Sequence, residues 1–472
     1  MTSPQDALID ALERFHEDDA RERIARARGD DDADPRLAVL ARHARLRGPR
    51  ARELFEEARE RGLLEGEELA LAASALRSAY AAVGEVRAET RLREALAQRV
   101  PHDSDHHAPI ALFTRMLAEP HTGRRRAIAR SLEGFAPALL AAQRGGLADV
   151  EESLEGAGWL PPAAPVAKSE AREVLGATKD LWTEALARLA HASRAELETW
   201  SDLLFALRRP ELADPRAASR RWRRIASELA PLGVAQALDK RGRVERATRA
   251  AIASEVLALR APSLPHEVRV LPATIELGVA SERDARIALG RAAALTWAHP
   301  ALSPLLRRQE GSVGPALGAL FAHLCAEPRA PIAEGLSETE ARAVRELASA
   351  LELFELRTAA ASALAQEERS GFDEAARELL LEAWGVDVTP AIAASVALRP
   401  GHAGRLRALR AAPPLFVALR DHYDDDWWRN PRAAAPIRAA CERGAALTIE
   451  AWAEELGARS SALASRLAER LA

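Results

Sequence analysis

The chain has 472 residues, 48% hydrophobic and 29% charged, a globular composition that excludes disorder as its main state. Its 66 Lys and Arg against 70 Asp and Glu give a net charge of -4, so no overall electrostatic pull toward nucleic acid or an anionic membrane exists. The two cysteines, Cys325 and Cys441, lie far apart without C-x-x-C spacing, which excludes a disulfide scaffold or a thiolate zinc finger.

The start, Met1-Thr2-Ser3-Pro4-Gln5-Asp6, has neither a basic nor an apolar signal region, and no run of about 18 uncharged apolar residues occurs. A cytoplasmic protein without a membrane span is expected. Leu8, Leu12 and Phe15 follow Ser3-Pro4 at helical spacing, and Asp34-Pro35 opens a second helix that stops near Gly48-Pro49. Val100 to His107 reads as an irregular polar segment. In it His102 and His106 are four apart beside Asp103, Asp105 and His107, a group able to hold a divalent cation if ordered, though a solvated loop is the simpler account. Gly156 to Ala167, with three prolines and two glycines, cannot continue a helix and marks a boundary between two helical lobes.

Ser193 with Glu196 and Ser337 with Glu340 have capping-box spacing. Alanine and leucine fill the segments between such signals and β-branched residues are sparse, so propensity and pattern agree on an all-α protein. One interval departs. From His266 to Val279 apolar residues alternate at Val268 and Val270 and again at Ile275, Leu277 and Val279, which predicts a small two-strand element, with a helix starting at Ser281. No repeat of 33 to 47 residues emerges.

Recognisable catalytic motifs are missing. His16-Glu17 and His266-Glu267 lack the second histidine of H-E-x-x-H, and neither a phosphate-binding loop nor a G-x-S-x-G nucleophile elbow occurs. Cys325 reads as a small buried hydrophobe, and His422 with Asp424, Asp425 and Asp426 as a solvated turn. Arg124-Arg125-Arg126 and Arg220-Arg221-Trp222-Arg223-Arg224 could meet a phosphate backbone, but solvated helix faces with acidic neighbours are the expectation.

The C-terminal third carries a resemblance. Leu419 to Pro431, L-R-D-H-Y-D-D-D-W-W-R-N-P, followed by Gly444 to Thr448 and Ala451 to Gly457, resembles the tail of bacterial relatives of thimet oligopeptidase and oligoendopeptidase F, which are zinc peptidases. Upstream, Ser201-Asp202-Leu203-Leu204 with Arg208-Arg209-Pro210, the strands near Val268 to Val279, Asp284-Ala285-Arg286 and Leu320 to Leu324 are similar to that family in order. The likeness covers residues 190 to 460. It implies an all-α fold of two helical lobes around a cleft, here 1–160 and 161–472, with a zinc helix on Ile287 to His299.

The metal positions depart from the family's pattern. In this register the first histidine falls on Leu289, the glutamate on Gly290, the second histidine on Ala293 and the third ligand near Pro315, with Glu310 the nearest acid. A shift by one residue gives Gly290, Arg291 and Ala294. The oxyanion tyrosine falls near Arg405, and the chain's two tyrosines are Tyr80 and Tyr423. The expectation is therefore a pseudo-peptidase without zinc or another cofactor, binding a peptide or protein and not nucleic acid. The alternatives are a helical scaffold unrelated to peptidases, and a hydrolase that gathers His299, Glu310 and His323.

Overall fold

In the computed structural model, which describes residues 4–30, 35–155, 168–209, 221–245, 247, 251, 253–261, 264–307, 313–327, 337–368 and 371–471, helices begin largely where the sequence offers proline or a capping side chain. Four helices open the chain: α1 (Pro4–Arg28), α2 (Pro35–Arg42), α3 (Pro49–Glu60) and α4 (Gly66–Ala97). Proline opens three of them because a first-turn N–H has no intrahelical partner to lose. Strands β1 (Val100–His102) and β2 (Asp105–His107) then pair antiparallel, with Asp103 at φ 55° in the turn. The segment expected to be irregular is thus a tight hairpin.

Next come α5 (Pro109–Ala118), α6 (Thr122–Glu155), α7 (Lys168–Ala177), α8 (Lys179–Ser193), α9 (Trp200–Arg208), α10 (Arg221–Glu228) and α11 (Val234–Arg241). The Ser193 capping box does not form, because Ser193 ends α8 and its Oγ donates to the Leu189 carbonyl at 2.7 Å. Thr199 and Asp202 form that motif at the start of α9 instead. The Ser337–Glu340 box forms as expected.

Strand β3 (Gly242–Val244) runs parallel to β5 (Leu264–Leu271), and β4 (Glu255–Ala261) runs antiparallel to it, in the order β3-β5-β4. Only the first half of the expected strand pair is strand. Ile275 and Leu277 lie outside it: the N–H groups of Thr274 and Ile275 both donate to the Ala251 carbonyl, and Gly278, at φ 62°, turns the chain into the next helix. The partner of Val268 and Val270 is instead upstream, at Ala258 and Val256.

The remainder is helical: α12 (Val279–Trp297), α13 (Pro304–Arg307), α14 (Val313–His323), α15 (Glu338–Gln366), α16 (Phe372–Trp384), α17 (Pro390–Ala397), α18 (His402–Tyr423), α19 (Ala434–Glu442), α20 (Ile449–Glu455) and α21 (Ala462–Leu471). No described helix is long and apolar enough to cross a membrane.

Apolar burial gathers into two main cores. One core runs from Leu8 to Val86 on α1 to α4 and includes Leu305, whereas the main core begins at Val100 and continues to Leu471. The proline-rich segment Gly156 to Ala167 lies outside the described residues. The second core starts at the hairpin after α4, and Leu112, Met116, Ile128 and Leu132 of α5 and α6 are packed into it.

Candidate functional site: the helix α12 and its surroundings

Three faces of α12 are covered by different neighbours. Ala288, Ala292 and Leu295 pack on Val268 and Val270 of β5, while Ala285, Leu289 and Ala293 join the main core. The third face meets α14 backbone to backbone: a Cβ on Gly290 would lie 2.6 Å from the Gly318 Cα, and one on Gly318 would lie 2.7 Å from the Ile287 carbonyl oxygen. Arg283 donates to the Ala322 carbonyl at 3.1 Å, so the two helices run antiparallel. Glycine at both crossing positions permits this approach.

The sequence-derived metal positions therefore sit inside packing contacts. Leu289 is 1% exposed and Ala293 0%. Gly290 faces Gly318 with no space for a side chain, and Pro315, half-buried, stands one turn before Gly318 on α14. At about 100° per residue, only the strip between the α14 face and the sheet face is left open. Ile287, half-buried, and Arg291, exposed, occupy that strip one turn apart.

A charged network fills the place where the N-terminal end of α12 meets the C-terminal end of α14. The His323 ring on α14 meets Glu352 on α15, Nδ1 to Oε1 2.7 Å, with both side chains buried. Arg470 of α21 donates to Glu352 Oε2 at 2.6 Å. Arg283 of α12 lies 3.7 Å from Glu352 and donates to Glu355 at 3.1 Å. Arg405, on the first turn of α18, reaches Glu355 at 3.5 Å from the exposed side. Arg466 pairs with Glu327 and places its guanidinium 4.1 Å above the Phe416 ring.

Burial and the Arg470 charge push the His323 imidazole down to about 3, against the pull of Glu352. It is neutral at pH 7, and its Nδ1 lies 2.7 Å from both the Glu352 carboxylate and the Arg470 guanidinium. Burial alone would raise Glu352, but His323, Arg470 and Arg283 outweigh it and hold the carboxyl well below the usual range. Burial raises Asp284, whose carboxylate accepts from the Ser254 N–H and Oγ–H and is flanked by Glu355 and Arg405. The arrangement balances buried charge, and among the described residues it presents no exposed nucleophile. Cys325, pushed up to about 12 by burial, is an inert thiol here.

The other sequence candidates do not converge on this place. His299 is at the far end of α12 from His323, roughly 24 Å away along the axis at about 1.5 Å per residue, and Glu310 lies outside the described residues. The proposed His299–Glu310–His323 constellation is not assembled. His102 is buried and contacts Ser131 Oγ at 3.1 Å, while its neighbour His106 is exposed on β2. His422 Nδ1 donates to the Ala418 carbonyl at 2.7 Å. Among the described residues, no group of three or more His, Cys, Asp or Glu side chains is placed to hold a metal ion.

Sequence reasoning also misjudged one basic run. Arg125 is fully buried and makes two hydrogen bonds to Asp202 Oδ1, at 3.1 and 2.7 Å, with Arg126 on Oδ2. In the second run Arg221 pairs with Glu276 and Arg224 with Glu282, the acidic neighbours expected. The missed network had a signal: Arg283 and Arg286, and likewise Glu352 and Glu355, are i, i+3 pairs flanked by alanine and leucine, which predicts buried charge in need of partners.

No protein-family model matches the sequence, and no curated protein matches it. Solved structures do. A protein described as oligoendopeptidase F from Bacillus anthracis str. Ames superposes with a TM-score of 0.62 at 10% identity, covering 90% of this chain and 79% of its own. PZ peptidase A with an inhibitor gives 0.61 at 9%, covering 97% and 86%. A carboxypeptidase of Pyrococcus furiosus gives 0.56 at 9%, covering 100% and 99%. At such identities the likeness is one of fold, and this chain has the helical fold of these peptidases.

Proposed function

We propose that the chain is a non-hydrolytic member of this structural group, a pseudo-peptidase that binds a peptide or protein along the open strip of α12. The observation that carries the reading is the chemistry of that strip. A metal held between α12 and α14 needs ligands one turn apart on the open face. Ile287 and Arg291 stand there, with Ala288 between them toward the sheet and Pro315 across on α14. None of these four side chains offers a zinc ligand or a general base, so the residues present do not fit zinc, and no hydrolytic step is derived through it.

This register is two residues earlier than the one read from sequence, since Leu289, Gly290 and Ala293 are committed to packing. Metal content of the purified, unchelated protein tests the reading. Less than about a tenth of an equivalent of zinc is expected, whereas a folded site holds its metal near stoichiometry. Near-stoichiometric zinc together with cleavage of a fluorogenic peptide overturns it.

A further inference from the structure

At the opposite end of α12 from the charged network lies a cavity of about 320 Å³, bounded by Gly233, Trp297, His299, Pro300, Arg438 and Glu442 among others. It lies outside the open strip of Ile287 and Arg291. Its floor is an arginine held in place from three directions. The Arg438 guanidinium donates twice to the Leu232 carbonyl, at 3.2 and 3.0 Å, and lies 5.6 Å from the centre of the Trp297 ring. Gly233, at φ 85°, makes room for it, because a Cβ there would overlap the terminal nitrogen.

Among the described residues no carboxylate lies within ion-pair distance of Arg438, although Glu442 follows one helical turn later on α19. The cation is positioned without a counter-ion. Three donors of a guanidinium remain after two contacts to one carbonyl, and their planar geometry suits a carboxylate. His299 adds a fourth group: its Nδ1 accepts from the Ala301 N–H at 3.1 Å, which places the ring proton on Nε2 as a donor. Trp297 and Pro300 supply a flat apolar wall.

We propose that this cavity binds a small organic carboxylate with a flat apolar body, the acid on Arg438 and the body against Trp297. Glu442 on the rim repels dianions, so a monocarboxylate or a zwitterion is preferred over a phosphate. A volume near 300 Å³ accommodates a compact ligand of this kind. The acid is either a free molecule or the C-terminus of a peptide, and the two sources are separable.

The test is calorimetric titration of the full chain with 3-phenylpropionate, its neutral amide, and a tetrapeptide ending in phenylalanine. For the acid a Kd of about 0.1–1 mM is expected from its size, and the amide binds at least about tenfold more weakly. Arg438→Met abolishes the preference for the acid, and Glu442→Gln, which leaves the guanidinium in place, tightens it a few-fold. Tighter binding of the peptide than of the free acid identifies a chain terminus as the ligand; the reverse identifies a free acid. Equal affinity for acid and amide on the unaltered protein overturns the proposal, as does absence of binding by all three at 10 mM, roughly tenfold above the weakest affinity expected.

Discussion

Residue by residue, α12 is governed by what its neighbours leave room for. Gly290 illustrates this, since its missing Cβ is what lets α12 and α14 touch. Gly290→Leu is expected to cost about 3 kcal/mol or more through forced separation of the helices, read as a lower urea midpoint. The same geometry makes the two metal registers experimentally separable. The triple variant Ile287→His, Arg291→His, Pro315→Glu, which leaves Ala288 packed on the sheet, is expected to fold and bind zinc at micromolar concentration or tighter. Leu289→His with Gly290→Glu and Ala293→His is expected to unfold. Zinc binding by the second set, with native circular dichroism, would restore the register drawn from sequence.

The sequence leaves that register open for a physical reason. Leu289-Gly290 and Ala293 look vacated because no chemistry stands there, but in an alanine-rich helix most positions look so. Which of them face outward depends on the sheet and on α14, and neither packing face is marked in a stretch as uniform as Ala292-Ala293-Ala294. The two-strand element shows the same limit: Val268 and Val270 announce a strand by their own alternation, but its partner at Val256 and Ala258 lies upstream across a separate segment.

At the scale of elements, buried ion pairs join helices distant in sequence. His323 and Glu352 tie α14 to α15, and their titration makes stability depend on pH. The unfolded imidazole takes a proton near 6.5, whereas the folded one waits until about 3. Stability is therefore full above pH 6.5 and declines as pH falls below it, by up to ~1.4 kcal/mol per pH unit. Glu352 adds its own loss only at lower pH, below the unfolded carboxyl value of 4.5, because its folded pKa is depressed. The urea midpoint should fall between pH 7.5 and 5.0 for the natural chain and fall less for His323→Gln, whose amide can still donate to Glu352, the remainder coming from His402, whose imidazole burial also lowers. An unchanged slope in that variant would exclude His323 as the cause.

Asp202 plays a comparable part between α6 and α9. It caps α9 and neutralises the buried Arg125. Removing it in Asp202→Ala leaves that guanidinium uncompensated, at a cost of about 3–5 kcal/mol. Asp202→Asn, which keeps a hydrogen-bond acceptor at the cap, should lose less; equal losses would show that charge is not the issue.

For the whole molecule, the division into two cores has a readable consequence. Every one of the 9 tryptophans follows residue 100, so none belongs to the core of α1 to α4. Leu12 is fully buried there, and Leu12→Ala is expected to cost about 2–5 kcal/mol of that core's stability. Circular dichroism should then show an early loss of helix in urea while tryptophan fluorescence keeps its original midpoint. A parallel shift of both signals would mean that the cores unfold as one unit, coupled through Leu305 and through pairs such as Arg28 with Glu245.

Local pattern by itself determined that this protein is helical, because proline starts, the Ser337 box and apolar spacing act within one turn of the chain and need no partner. It also carried the likeness of the Trp427-Trp428 tail, whose rings pack on Phe416 at 6.0 and 6.2 Å as a fixed local cluster. Only the tertiary structure decided which strip of α12 is open, where the cores divide, and which arginines are buried. Those are properties of surfaces brought together from residues tens to hundreds of positions apart, and burial of a charge depends on a partner that local sequence does not contain.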